Sequence, residues 1–97
     1  MEIQSSAIAG TLESSDIQIT VSRGDSGIQI ELTSDVEKQF GAQIRKVITD
    51  ALQALGISRA RVKAVDKGAL DCVIRARTLT AAQRGAGMAE EPVWEAL

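Results

Sequence analysis

The stretch SDVEKQFGAQIRKVITDALQALG, residues 34–56, decides the fold. Val36, Phe40, Ile44, Val47, Ile48, Ala51, Leu52 and Leu55 recur at spacings of three and four. That spacing draws one apolar stripe along about five turns of helix. Ser34 followed by Glu37 has the form of a capping box, with Ser34 as the N-cap. Gly56 stands where the helix needs a residue tolerant of positive φ to stop it. Gly41 in the interior costs about 1 kcal/mol relative to Ala, and it predicts a close approach to a sheet. A helix with one apolar face needs another layer to cover it.

The flanking sequence supplies that layer. Ile17, Ile19 and Val21 alternate with Gln18, Thr20 and Ser22, and Ile28, Ile30 and Leu32 alternate with Gln29 and Glu31. Each is the pattern of a half-buried strand. Arg23-Gly24-Asp25-Ser26-Gly27 lies between them and reads as the turn of a hairpin. Val62 and Ala64 alternate with Arg61 and Lys63, which predicts a third strand. After a turn at Asp66-Lys67-Gly68, Leu70, Cys72, Ile74 and Ala76 alternate with Asp71, Val73, Arg75 and Arg77, which predicts a fourth. Residues 78–84 leave room for a short C-terminal helix. The expected fold is α+β, a two-layer sandwich of order β-β-α-β-β, with a four-stranded sheet packed on one long helix. Residues 1–84 form the domain, and residues 85–97, with Pro92 and Trp94, read as a flexible tail. Trp94 either docks onto the body or a partner, or stays loose with the tail.

Composition narrows the function. Ninety-seven residues make one domain, 44% of them hydrophobic, with Phe40 and Trp94 the only aromatics. The core is therefore built from Ile, Val, Leu and Ala. A formal net charge of -2 gives no case for nucleic acid as a partner. No apolar run approaches the roughly 20 residues that span a bilayer, and the first residues lack a secretory signal. One cysteine excludes an internal disulfide. These features predict a soluble, cytoplasmic protein. Residues 59–84 nevertheless carry seven cations against Asp66 and Asp71, a local excess of +5. That run is either a solvated sheet face or a surface for phosphates or an acidic partner.

Few residues offer chemistry. There is no His and no Tyr, so a Ser–His triad is excluded. Ala9-Gly10-Thr11-Leu12-Glu13-Ser14-Ser15-Asp16 places two small hydroxyls just before a strand. They serve either as turn caps or as an acceptor for a group that another enzyme attaches, a role needing only exposure and small neighbours. Asp16 either caps that turn or helps place a Mg²⁺ ion for the modifying enzyme. Cys72 falls on the apolar side of the fourth predicted strand and reads as a buried structural thiol, with a reactive thiol as the alternative. Asp66 and Asp71 flank a hairpin tip, where a turn role suits them better than acid–base work.

Three motifs in order carry a family resemblance. Ala9-Gly10-Thr11-Leu12-Glu13-Ser14-Ser15-Asp16, Ser34-Asp35-Val36-Glu37-Lys38-Gln39-Phe40-Gly41, and Asp66-Lys67-Gly68-Ala69-Leu70-Asp71-Cys72 with Ile74-Arg75-Ala76-Arg77 resemble the acyl carrier protein, or gamma subunit, of citrate lyase. The resemblance spans about residues 7 to 77, and the Pro-Val-Trp-Glu tail is similar to some members. It implies a 2'-(5''-phosphoribosyl)-3'-dephospho-CoA arm, joined by a phosphodiester to the Ser of Gly-Thr-Leu-Glu-Ser, which is Ser14 here. The following residue can be Gly in relatives, which favours Ser14 over Ser15. It also implies a non-catalytic role. The arm's thiol carries acetyl, the alpha subunit exchanges acetyl for citryl, and the beta subunit cleaves citryl to oxaloacetate. A separate transferase installs the arm and a ligase acetylates it. Phosphopantetheine carriers, with an Asp-Ser-Leu at a helix start, match poorly. The carrier of malonate decarboxylase, which bears the same kind of arm, is the nearest alternative. A non-enzymatic interaction domain, in which the Ser pair only caps a turn, is the other.

Overall fold

The computed structural model describes residues 1–87. Its elements run β1 (Ala7–Ala9), β2 (Ile17–Ser22), β3 (Ile28–Ser34), α1 (Glu37–Ala54), β4 (Ala60–Asp66) and α2 (Asp71–Gly85). The expected class holds: this is an α+β fold with a four-stranded sheet. Both helices pack on one face of the sheet. Ile17, Ile19 and Val21 of β2, with Val62 and Ala64 of β4, meet Ile44, Ile48 and Leu52 of α1 and Ile74 and Ala81 of α2 in one core.

The element order departs from β-β-α-β-β in three ways. First, β2 and β3 form no hairpin. The sheet order is β1-β2-β4-β3, so β4 lies between them. It pairs antiparallel with β2, Ile19 opposite Ala64, and parallel with β3, Ile30 opposite Val62. A parallel pair needs a long crossover, and α1 provides it. Residues 23–27 pass over the start of β4 instead of closing a tight turn. A Cβ on Gly24 would lie 2.7 Å from the Ala60 nitrogen, and Ala60 N–H donates to the Gly27 carbonyl at 3.1 Å.

Second, the fourth predicted strand is the first half of α2. The period-two pattern at residues 70–76 covers too few apolar positions to exclude a helix. The residues α2 buries are Ile74, Thr78, Leu79, Ala81, Ala82, Gln83 and Gly85, and Ile74, Thr78, Ala81, Ala82 and Gly85 among them recur at helical spacing. Cys72 is consequently exposed and not buried. Third, a short edge strand, β1, completes the sheet. It pairs with β2 antiparallel, Ala7 opposite Val21.

The predicted helix α1 is present, with different details at its start. Ser34 ends β3, and the N-cap position falls on Val36, with no side-chain cap. Ser34 Oγ instead accepts from Val36 N–H at 3.2 Å and donates to Asp66 Oδ2 at 2.9 Å. Phe40 remains 52% exposed. Gly41 faces the Glu37 and Arg45 side chains of its own helix and not the sheet. The C-terminal end follows expectation. Gly56 takes φ +75, its N–H donates to Gln53 O at 2.9 Å, and Ile57 N–H donates to Leu52 O at 3.0 Å. That is a Schellman ending, with Ile57 and Leu52 both buried.

The helix α2 continues through Gly85, whose carbonyl accepts from Gln4 N–H at 2.9 Å and Ser5 N–H at 3.1 Å. A Cβ on Gly85 would meet Ser5 O and Val21 Cγ2, each at 3.0 Å. Residues 88–97 of the expected tail, with Trp94, lie outside the described residues.

Candidate functional site

The turn that carries Ser14 joins β1 to β2. Ala9 pairs with Ile19, so residues 10–16 close at one end of the sheet. Ile17 and Ser34 both pair with Asp66. The ends of β3 and β4 and the first turns of α1 and α2 therefore share that end.

Local chemistry sets the turn. Gly10 has φ +86, and a Cβ there would overlap the Ile17 carbonyl oxygen. Asp16 N–H donates to Glu13 O at 3.2 Å, closing a four-residue turn with Ser14 second and Ser15 third. Ser15 has φ +67, the only positive φ outside glycine among the described residues. A positive φ at the third position is the type II pattern, which favours Gly. Ser14 is exposed, and the turn's hydrogen bonds leave its hydroxyl free.

Asp16 is the hub of those bonds. Its Oδ2 accepts from Thr11 N–H at 3.1 Å, Thr11 Oγ1 at 2.7 Å and Arg77 Nη2 at 3.2 Å. Its Oδ1 accepts from Ile17 N–H at 2.7 Å and Arg77 Nε at 3.0 Å. Thr11 Oγ1 in turn accepts from Glu13 N–H at 3.2 Å. The Arg77 hydrogen bonds first, then that from Thr11, hold the Asp16 carboxyl far below the usual carboxylate range. On the other side, Ser15 N–H donates to Lys67 O at 2.7 Å, and Lys67 N–H donates to Asp16 O at 2.9 Å. Asp16 is thus a cap, as one of its two readings held. Its oxygens are taken up, which leaves nothing to support the Mg²⁺ reading. No group of three or more His, Cys, Asp or Glu able to hold a metal occurs among the described residues.

The remaining candidates separate. Asp66 is buried and accepts from Ser34 Oγ and from Ala69 N–H at 3.0 Å. Asp71 opens α2 and accepts from Gln43 Nε2 at 2.8 Å. Both serve the fold. The cations of residues 59–84 do not form one sheet face. Arg61 and Lys63 project from β4 on the face opposite the helices, whereas Arg75, Arg77 and Arg84 belong to α2. Arg84 Nη1 donates to Ile8 O at 2.9 Å. Three large apolar side chains are exposed at the Ser14 end: Leu12 at 55%, Leu70 at 70% and Phe40. Ser14 lies on the exposed turn, and sequence reasoning missed Arg77 as the partner of Asp16, because 61 residues separate the pair.

A compact body presenting two exposed serine hydroxyls on a braced turn, with no metal cluster among the described residues, suits a carrier domain. Comparison with known proteins agrees. A family model described as malonate decarboxylase delta subunit (MdcD), an acyl carrier family, matches residues 4–85. The citrate lyase acyl carrier protein of Lactiplantibacillus plantarum is 66% identical, and that of Oenococcus oeni 62%, each over the full length of both chains. That of Streptococcus mutans is 60% identical over 89% of this chain and 85% of its own. This chain belongs to the family of citrate lyase acyl carrier proteins. A chain in the crystal structure of a Pseudomonas malonate decarboxylase hetero-tetramer in complex with malonate has the same fold. Its TM-score is 0.73 at 16% identity, over 87% of each chain. No described helix is long and apolar enough to cross a membrane.

Proposed function

We propose that this chain is the non-catalytic carrier subunit of a cytoplasmic citrate lyase and that Ser14 bears its prosthetic group. The group fits the residues present. Ser14 is exposed, its Oγ makes no hydrogen bond among the described residues, and it sits at the second position of a turn whose backbone is fixed on both sides. The Lys67 cation lies on a segment that braces the turn, where a phosphodiester would be favoured. When bound, a 2'-(5''-phosphoribosyl)-3'-dephospho-CoA arm supplies the thiol that carries acetyl and citryl. The chain's own part is to offer the Ser14 hydroxyl on a fixed turn, and the transferase selects it over the neighbouring Ser15 hydroxyl and the exposed Cys72 thiol. The chain's lack of His leaves the proton of Ser14 to be taken by a base on the transferase or by solvent. Tethering then raises the local concentration of the thioester at the alpha and beta subunits.

The observation that carries this reading is the braced turn on which Ser14 and Ser15 are exposed with no side-chain hydrogen bond among the described residues, and the Gly-Thr-Leu-Glu-Ser motif favours Ser14 of the two. It is tested by intact mass and peptide mapping of chain produced with its modifying enzymes. The expected adduct has the mass of the phosphoribosyl-dephospho-CoA group. It maps to the peptide holding Ser14, disappears in Ser14→Ala and persists in Ser15→Ala. An unmodified mass in the presence of active transferase would leave an interaction domain whose serines only shape the turn. The malonate decarboxylase reading shares the fold. The 55–66% identities to citrate lyase carriers favour the first. Reconstitution with citrate lyase alpha and beta subunits separates the two.

A further inference from the structure

We propose that Arg77 is a positioning residue for the chemistry at Ser14: acting through Asp16, it fixes the turn in which the Ser14 hydroxyl is offered. The proposal rests on the Ser14 reading above. A turn with serine in the left-handed region is not self-sufficient, since that conformation is disfavoured in an L-residue. It persists where the surroundings over-determine it, and Asp16 supplies that determination by joining Thr11, Ile17 and Arg77.

Arg77 is the rigid end of the arrangement. It stands on α2 between the buried Ile74 and Thr78, and α2 packs against β2. Its guanidinium meets both carboxylate oxygens of Asp16 at 3.0 and 3.2 Å. That fork fixes orientation as well as distance. Its Cδ passes beside Gly10, 3.2 Å from where a Cβ would stand, so the side chain lies along the first residue of the turn. Arg84, two turns further on, grips Ile8 O. Helix α2 therefore holds both the strand entering the turn and the residue leaving it. A hydroxyl misplaced by about 1 Å can cost about 100-fold in rate. The loss should fall on kcat, because Arg77 sets geometry and not partner affinity.

The test measures transfer of a phosphoribosyl-dephospho-CoA arm to the full chain by the transferase, followed by intact mass. The chains compared are wild type, Arg77→Met, Arg77→Lys, Asp16→Asn and Lys46→Met, the last altering a cation paired with Asp50 on α1. In Arg77→Met, kcat is expected to fall about 100-fold with KM little changed and the loss insensitive to salt. Arg77→Lys recovers part of it. Asp16→Asn resembles Arg77→Met, the double variant is no worse than either single one, and Lys46→Met matches wild type. Amide exchange supplies a readout independent of loading. Ser15 N–H exchanges faster in Arg77→Met while Ile48 and Val62 stay protected. Wild-type kcat in Arg77→Met overturns the proposal. So does a loss that falls on KM and deepens at low salt, which would make Arg77 a partner contact. So does unchanged exchange at Ser15. Wild-type chain that is never loaded at Ser14 overturns the attachment reading instead, and the exchange measurement still decides the bracing.

Discussion

Ser34 Oγ donates to Asp66 Oδ2 at 2.9 Å, joining the last residue of β3 to the last residue of β4 across their parallel register. Asp66 is only 3% exposed and no cation pairs with it among the described residues. Its remaining partner is Ala69 N–H. Ser34→Ala removes one of two donors from a buried carboxyl. The expected loss is about 1–3 kcal/mol, read as a lower urea midpoint with an unchanged slope. Ser34→Thr keeps the hydroxyl and most of the stability.

The Asp16–Arg77 pair predicts the acid limb of the stability curve. The folded-state carboxyl titrates well below its ordinary value, chiefly through the Arg77 hydrogen bonds. A depressed acid contributes stability that is complete above the unfolded-state value, about pH 4. That contribution is lost as pH falls further, because the unfolded chain then binds the proton first. Between pH 6 and pH 2, thermal midpoints of wild type should decline more steeply than those of Asp16→Asn. Parallel curves would show that the pair adds nothing to folding.

Two glycines of positive φ should respond differently to alanine. Gly10 at φ +86 has no room, since a Cβ would collide with the Ile17 carbonyl. Gly27 at φ +64 has open space around it. Gly27→Ala should cost about 1 kcal/mol, the conformational term alone. Gly10→Ala adds a steric clash with backbone and should cost about 2 kcal/mol or more. Chemical denaturation of both gives the comparison, and equal losses would contradict the turn geometry.

Ser15 is the place where the turn is locally unfavourable. Ser15→Gly relieves a left-handed L-residue and should leave stability unchanged or raise it by about 0.5–1 kcal/mol. Arm loading at Ser14 should continue. Ser15→Val, β-branched at positive φ, should lower both the melting midpoint and the loading rate.

The helix α1 was legible because its period and its Gly56 ending are local signals. Strands β2, β3 and β4 were legible as strands, but alternation reports which face a residue occupies and not which strand lies beside it. The insertion of β4 between β2 and β3 depends on α1 as a crossover, and the glycines at 24 and 27 look the same in either topology. Residues 70–77 misled because Leu70, Cys72, Ile74 and Ala76 fit a period of two, while only Ile74 among them is buried. The helical set becomes visible only on continuing to Leu79, Ala82 and Gly85. Ser14 stood out in the sequence as a small exposed hydroxyl beside turn formers. The bracing by Arg77 did not, since it is a long-range ion pair fixed by packing of α2.

The carbonyl of Gly85 collects the N–H groups of both Gln4 and Ser5, beside Val21 and so at the far end of β2 from Ile17 and the Ser14 turn. Six strand residues, about 20 Å, separate the two ends. The molecule thus has a handle and a working tip. A support coupled through the first residues would grasp the body at the handle and leave the serine facing solution. A dye placed there would watch the tip engage its partners without standing in the way.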